Sequence, residues 1–155
     1  MKWRLFLFTA LLTLCSAPLL TVSASAADDA LAAEVRKDVE KTLDLWRDGR
    51  YEEVYRRVIE SGGHTKEYFI NHLAAAPRRP SCCWEKLQEV QVSVKDERQA
   101  TLRAKFGFDT GVGIEFMTKG LKLEKDDGVW KIRMSEVLLL SGKGKNVSGG
   151  KKKSP

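Results

Sequence analysis

The sequence is poor in the residues that staple or ligate a fold. Of its three cysteines, Cys15 lies in the first 26 residues, and the other two, Cys82 and Cys83, are neighbours. A cysteine-rich miniature scaffold is excluded, since adjacent cysteines close no long-range bridge. A structural zinc site is not expected either: there is no Cys-x-x-Cys spacing and no second ligand pair is evident. After residue 27 no apolar stretch is long enough to span a bilayer. No internal repeat is present. A composition of 43% hydrophobic and 31% charged residues excludes a disordered or collagen-like chain.

The folded part also lacks an excess of either charge. The net charge of +6 divides unevenly: +2 falls in residues 1–26, +5 in residues 142–155, and −1 in the 115 residues between. A nucleic-acid binder needs a basic face on its folded part to neutralise phosphates. The body offers none, so no nucleic-acid partner is expected.

What is present begins with a leader. Lys2 and Arg4 form a charged start, Leu5 to Leu14 an apolar run, and Ala24-Ser25-Ala26 a small-x-small cleavage site. Residues 1–26 therefore read as a signal peptide, and the mature protein is expected to be secreted or periplasmic. About 128 residues remain, room for one domain. That domain is expected over 27–141. Residues 142–155, rich in Gly, Ser and Lys, are expected to be a disordered basic tail with at most weak contact to an anionic membrane surface.

The first half of the domain is periodic at 3.6 residues. Leu31, Val35, Val39, Leu43 and Trp46 predict a helix over Asp29–Asp48, closed by Gly49. Tyr51, Val54, Tyr55, Val58 and Ile59 predict a second, short helix. Thr65 is placed to cap a third, with Phe69, Ile70 and Leu73 inward. From Trp84 onward the period falls to two. Val90, Val92 and Val94 mark one strand, and Ala100, Leu102, Ala104, Phe106 and Phe108 a second.

In the third strand Ile114 and Phe116 differ in parity from Leu121 and Leu123, which predicts a bulge near Gly120. Asp127-Gly128 predicts a hairpin. The last strand changes phase between Met134 and Val137, which predicts a second slip near Glu136. Two slips imply a strongly curved four-stranded antiparallel sheet with the helices packed on its concave side, an α+β fold.

This order of elements carries two local patterns. The first is Leu45-Trp46-Arg47-Asp48-Gly49-Arg50-Tyr51-Glu52-Glu53-Val54-Tyr55, where the first helices join. The second is Gly128-Val129-Trp130-Lys131-Ile132 in the last hairpin. Over residues 29–140 the chain resembles the nuclear transport factor 2-like (cystatin-like) superfamily, and within it the small secreted bacterial members. The resemblance implies a cone between helices and sheet, with Trp46, Tyr51, Tyr55, Phe69, Phe106, Trp130 and Met134 as its pocket. Catalytic members use a carboxylate or histidine at the floor of that cone. The candidates here are Glu136, in phase with Trp130, Ile132 and Met134, and His72, three residues after Phe69. His64 is the other histidine of the chain.

No catalytic motif of the superfamily matches residue by residue. The expectation is a non-catalytic domain, without cofactor or metal. It would bind a small apolar ligand or a protein partner through its cone or sheet face, a second copy across the sheet included. The alternatives are a small isomerase or dehydratase using Glu136 or His72, and a thiol- or metal-responsive protein using Cys82 and Cys83. The cysteine pair itself admits a vicinal disulfide, an intermolecular bridge, a soft-metal thiol pair, or two partly buried thiols beside Trp84.

Overall fold

Helix α1 spans Ala24–Arg47 in the computed structural model, which describes residues 24–142. The charged and apolar parts of the expected leader, Cys15 and the lysines of the expected tail lie outside the described residues. The helix starts before Asp29 because Ala24, Ala26, Ala27 and Ala30 are among the best helix formers. Its apolar stripe is buried as the spacing predicts: Val35, Val39, Leu43 and Trp46 lie in the core, and Leu31 packs against its margin. Burial of each such side chain stabilises the fold by about 1.5–3 kcal/mol. Past Arg47 the Gly49 N–H bonds the Trp46 carbonyl at 3.0 Å and the Arg50 N–H bonds the Leu45 carbonyl at 2.9 Å. These bonds satisfy carbonyls that a helix end otherwise leaves open.

Helix α2, Tyr51–Arg56, is shorter than the periodicity suggests. Val58 and Ile59 leave it to form strand β1, paired in parallel with the last strand, β6 (Val129–Arg133). Two consecutive β-branched residues favour extended backbone, and the parallel edge gives their peptide groups partners. Helix α3, Lys66–Ala74, has the expected cap, the Tyr68 N–H bonding Thr65 Oγ1 at 3.2 Å.

Strands β2 (Arg79–Pro80), β3 (Leu87–Asp96), β4 (Gln99–Asp109) and β5 (Ile114–Asp126) precede β6. The sheet therefore has six strands, not four, because β1 and β2 are added at its margins. Its order is β1-β6-β5-β4-β2, with β3 also pairing β4, and every pairing except β1–β6 is antiparallel. The architecture is α+β. Helix α1 contacts β2, β3, β4 and β6.

Neither predicted phase slip occurs. The β4–β5 register is unbroken from Gln99↔Glu124 to Asp109↔Ile114 and passes through Arg103↔Gly120 without irregularity. The parity change has a plainer cause. Leu121 and Leu123 face the core, while Ile114 and Phe116 lie on the opposite, partly exposed face. Beyond β6, Met134–Leu140 forms helix α4. Met134, Val137 and Leu138 fall at i, i+3 and i+4, a helical spacing that resembles a strand with a slip when scored at period two. The irregular register lies in β3 instead, between Gln88 and Gln91, where Glu89 adopts φ +52°, and again between Val94 and Asp96. The Asp127-Gly128 turn between β5 and β6 is as expected, both residues having positive φ.

Candidate functional site

The cysteine pair lies where the chain crosses from β2 to β3. Cys82 and Cys83 form a disulfide, and both are exposed, in contrast to the partly buried thiols that were one reading of the sequence. They occupy a turn closed by the Glu85 N–H on the Cys82 carbonyl at 3.3 Å, with Cys83 at φ +58°. The turn is fastened to β4 at one residue. The Ser81 N–H bonds the Gly107 carbonyl at 2.9 Å, and the Gly107 N–H bonds the Lys86 carbonyl at 3.3 Å. Residues 82–85 thus project between two fixed points.

Gly107 makes this approach possible. A Cβ there would overlap the Glu85 carbonyl oxygen and lie 3.0 Å from Phe116 Cε1. The turn and the Phe116 ring therefore flank the same point on the outer face of the sheet. Trp84, next to Glu85, is 72% exposed, Phe116 is 41% exposed, and Ile114 is on the same face as Phe116. Val112, in the β4–β5 loop, adds a further exposed apolar side chain at this end. The Lys105 ammonium stands 4.8 Å from the centre of the Phe116 ring, a cation–π contact.

The aromatic residues expected to line a pocket are part of the packing. Trp46, Phe69, Phe106, Trp130 and Met134 are at most 1% exposed and belong to one core, and Tyr51 and Tyr55 pack against it. Trp46 meets Phe108 with ring centroids 5.8 Å apart, and Tyr55 meets Phe69 at 6.0 Å. The Tyr55 hydroxyl donates to the Glu60 carboxylate, which raises its pKa because the phenolate would lose that bond. A cleft of about 550 Å³ lies elsewhere, around the β3–β4 turn, lined by charged and polar side chains from Asp96 to Gln99 with Glu124 and Lys125.

The two catalytic candidates have separate partners. Glu136 stands in the first turn of α4 and accepts the Lys122 N–H of β5 at 3.0 Å. Pairing between β5 and β6 reaches only as far as Leu123↔Ile132, so this carboxylate occupies the place a strand carbonyl would fill. Partial burial raises the Glu136 pKa, opposed by the Lys122 hydrogen bond and by the cations Arg133, Lys119 and Lys122. A carboxyl with a raised pKa in the folded state contributes stability that is full below its unfolded pKa and is lost as pH rises through the folded value. Glu136→Gln keeps an acceptor for Lys122 and removes the titration. Relative to wild type it is therefore expected to gain stability as pH is raised from 4 to 7, measured by urea unfolding at each pH. Equal pH profiles would show that burial does not govern this group.

His72 is half-buried on α3, and its ring tilts against Tyr68 with centroids 5.5 Å apart. His64 stacks on Tyr68 with centroids 4.5 Å apart, so both histidines, at spacings of four residues on either side in sequence, contact this one tyrosine ring.

One constellation gave no signal in the sequence. Asp38 of α1 accepts Arg57 Nη2 at 2.6 Å through one oxygen and the Trp130 N–H at 2.9 Å through the other. Arg57 Nε also reaches Thr42 Oγ1 at 3.1 Å. These three polar residues tie α1 to the α2–β1 junction and to β6. Helical periodicity marks Asp38 and Thr42 only as positions off the apolar stripe, and nothing marks Arg57. Lys86, whose ammonium sits 2.7 Å from both Asp44 carboxylate oxygens, makes a second such tie between α1 and the start of β3. No protein-family model and no curated protein matches the chain.

Proposed function

We propose that this chain is a non-catalytic binding module of nuclear transport factor 2-like type, exported by its leader, that engages a protein partner through the Trp84–Phe116 end of its sheet. The observation that carries the proposal is the contrast between its aromatic residues. Trp46, Phe69, Phe106 and Trp130 pack into one core, whereas Trp84 is largely exposed and Phe116 and Ile114 are each exposed over about two fifths of their surface on the outer face of the sheet. Exposed aromatic side chains with large rigid surfaces are the usual anchors of protein contacts, and their desolvation is favourable only when a partner covers them. Core packing of those four aromatics favours a protein partner over a small apolar ligand held inside the cone. Against the enzyme alternative, one Glu136 oxygen is committed to the Lys122 N–H.

The test is site-specific photo-crosslinking with a benzoylphenylalanine placed at 84, at 116 or at the exposed strand position 101, in cells that make the protein. Adducts to a partner, or to a second copy of the chain, are expected from 84 and 116 and not from 101. Equal yields from all three positions would sink the proposal. A saturable apolar dye signal lost on Phe106→Ser but not on Trp84→Ser would favour an internal ligand instead.

A further inference from the structure

We propose that the Cys82–Cys83 disulfide is a thiol–disulfide exchange site whose co-substrate is an external dithiol, and that exchange there remodels only the 82–85 turn. The assignment holds whether or not the sheet end binds a partner.

Four observations support it. A disulfide stabilises a fold chiefly by closing a long loop of unfolded chain, and a bridge between neighbours closes almost none, so stability does not account for this one. Adjacency sets the Cα atoms 3.8 Å apart, below the 4.4–6.8 Å span of ordinary bridges, and bridges outside that span are reduced more readily. Both cysteines are exposed, so an attacking thiolate has access to either sulfur. Finally, Cys83 is a non-glycine residue in the left-handed region, a conformation that opening the ring would release. Release would be local, because Ser81 and Lys86 are each bonded to Gly107 and frame the turn. The only other cysteine of the chain is Cys15, so the reductant comes from outside the domain.

The reaction balances as two exchanges. A thiolate of the dithiol attacks one sulfur of the pair, the S–S bond breaks, and its electrons leave on the other sulfur, which takes up a proton. The second thiolate of the dithiol then attacks the mixed disulfide and expels the remaining cysteine, which is protonated in turn. Two electrons and two protons pass to Cys82 and Cys83, and the dithiol becomes a cyclic or intramolecular disulfide.

The full chain is equilibrated with mixtures of reduced and oxidised dithiothreitol at neutral pH without denaturant. The mixtures are acid-quenched and alkylated, and the peptide holding residues 80–86 is weighed. No alkyl group is expected on the air-equilibrated protein and two on the reduced protein, with return to none on reoxidation. Far-UV circular dichroism should stay constant throughout. Tryptophan emission should change on reduction in wild type and not in Trp84→Phe. The proposal is overturned by two alkyl groups before any reductant is added, by resistance until denaturant unfolds the chain, or by loss of the folded signal on reduction. The Cys82→Ser/Cys83→Ser variant should stay unlabelled in this peptide; if it does not fold, the wild-type series alone decides.

Discussion

Trp46→Ala should lower the free energy of unfolding by about 3–5 kcal/mol, the range for truncating a buried aromatic side chain. Trp46 is the last residue of the α1 stripe, is 1% exposed, and meets Phe108 of β4 ring to ring. Its loss removes contacts to the helix and the sheet at once, at the point where α1 ends and the chain turns into α2. A domain of this size has about 5–15 kcal/mol of stability in total, so the variant would stand near the threshold of folding. Urea unfolding should show a lower midpoint with an unchanged slope, because the surface exposed on unfolding is nearly the same. Lys41→Ala, on the exposed side of the same helix, should change stability by less than about 0.5 kcal/mol. A Trp46 effect as small as that would mean the helix does not seat on the sheet through this ring.

The contrast between these positions indicates what the sequence makes legible. The α1 stripe, the Thr65 cap, the β4 alternation and the Asp127-Gly128 turn are local, each written within a few residues, and each is found in the structure. The errors come from features whose meaning depends on distant partners. Phe116 is apolar, and a period of two places it in the core together with Leu121 only if a bulge intervenes. In the structure Phe116 faces outward because Gly107 and the 82–85 turn lie beside it, a pairing 9 residues away on another strand that no local pattern encodes.

The stretch Met134–Leu140 failed for a related reason. Its short apolar run fits a strand or a helix, and the choice is made by where β5 ends its pairing and by Glu136 reaching back to Lys122. At the candidate site, the adjacency of Cys82 and Cys83 was plain from the residues. Their exposure, and the exposure of Trp84, depends on Gly107 and appears only in three dimensions.

Gly107 therefore supplies the second large expected effect, and Gly120 supplies its control. Both are strand-interior glycines on the outer face of the sheet, and the parity pattern singled out Gly120 as the structurally demanding one. The space around them says the reverse. A Cβ at Gly120 meets nothing within 4 Å, whereas one at Gly107 runs into the Glu85 backbone carbonyl and crowds the Phe116 ring. The Glu85 oxygen belongs to a turn held by the Ser81–Gly107 and Gly107–Lys86 hydrogen bonds, so it cannot retreat without lengthening them. Overpacking of this kind costs about 1–3 kcal/mol, and backbone crowding places Gly107→Ala at the upper end, about 3 kcal/mol. Gly120→Ala should instead be neutral or stabilising by about 0.5 kcal/mol, since it removes backbone freedom from the unfolded chain without a clash. Amide hydrogen exchange adds a local signature: in Gly107→Ala the Ser81 and residue-107 N–H groups should lose protection relative to the β4–β5 ladder, because the turn lifts before the sheet opens. Equal stability changes at the two glycines, or unaltered exchange at Ser81, would show that the turn does not rest on β4, and Trp84 and the disulfide would then lose the platform that presents them.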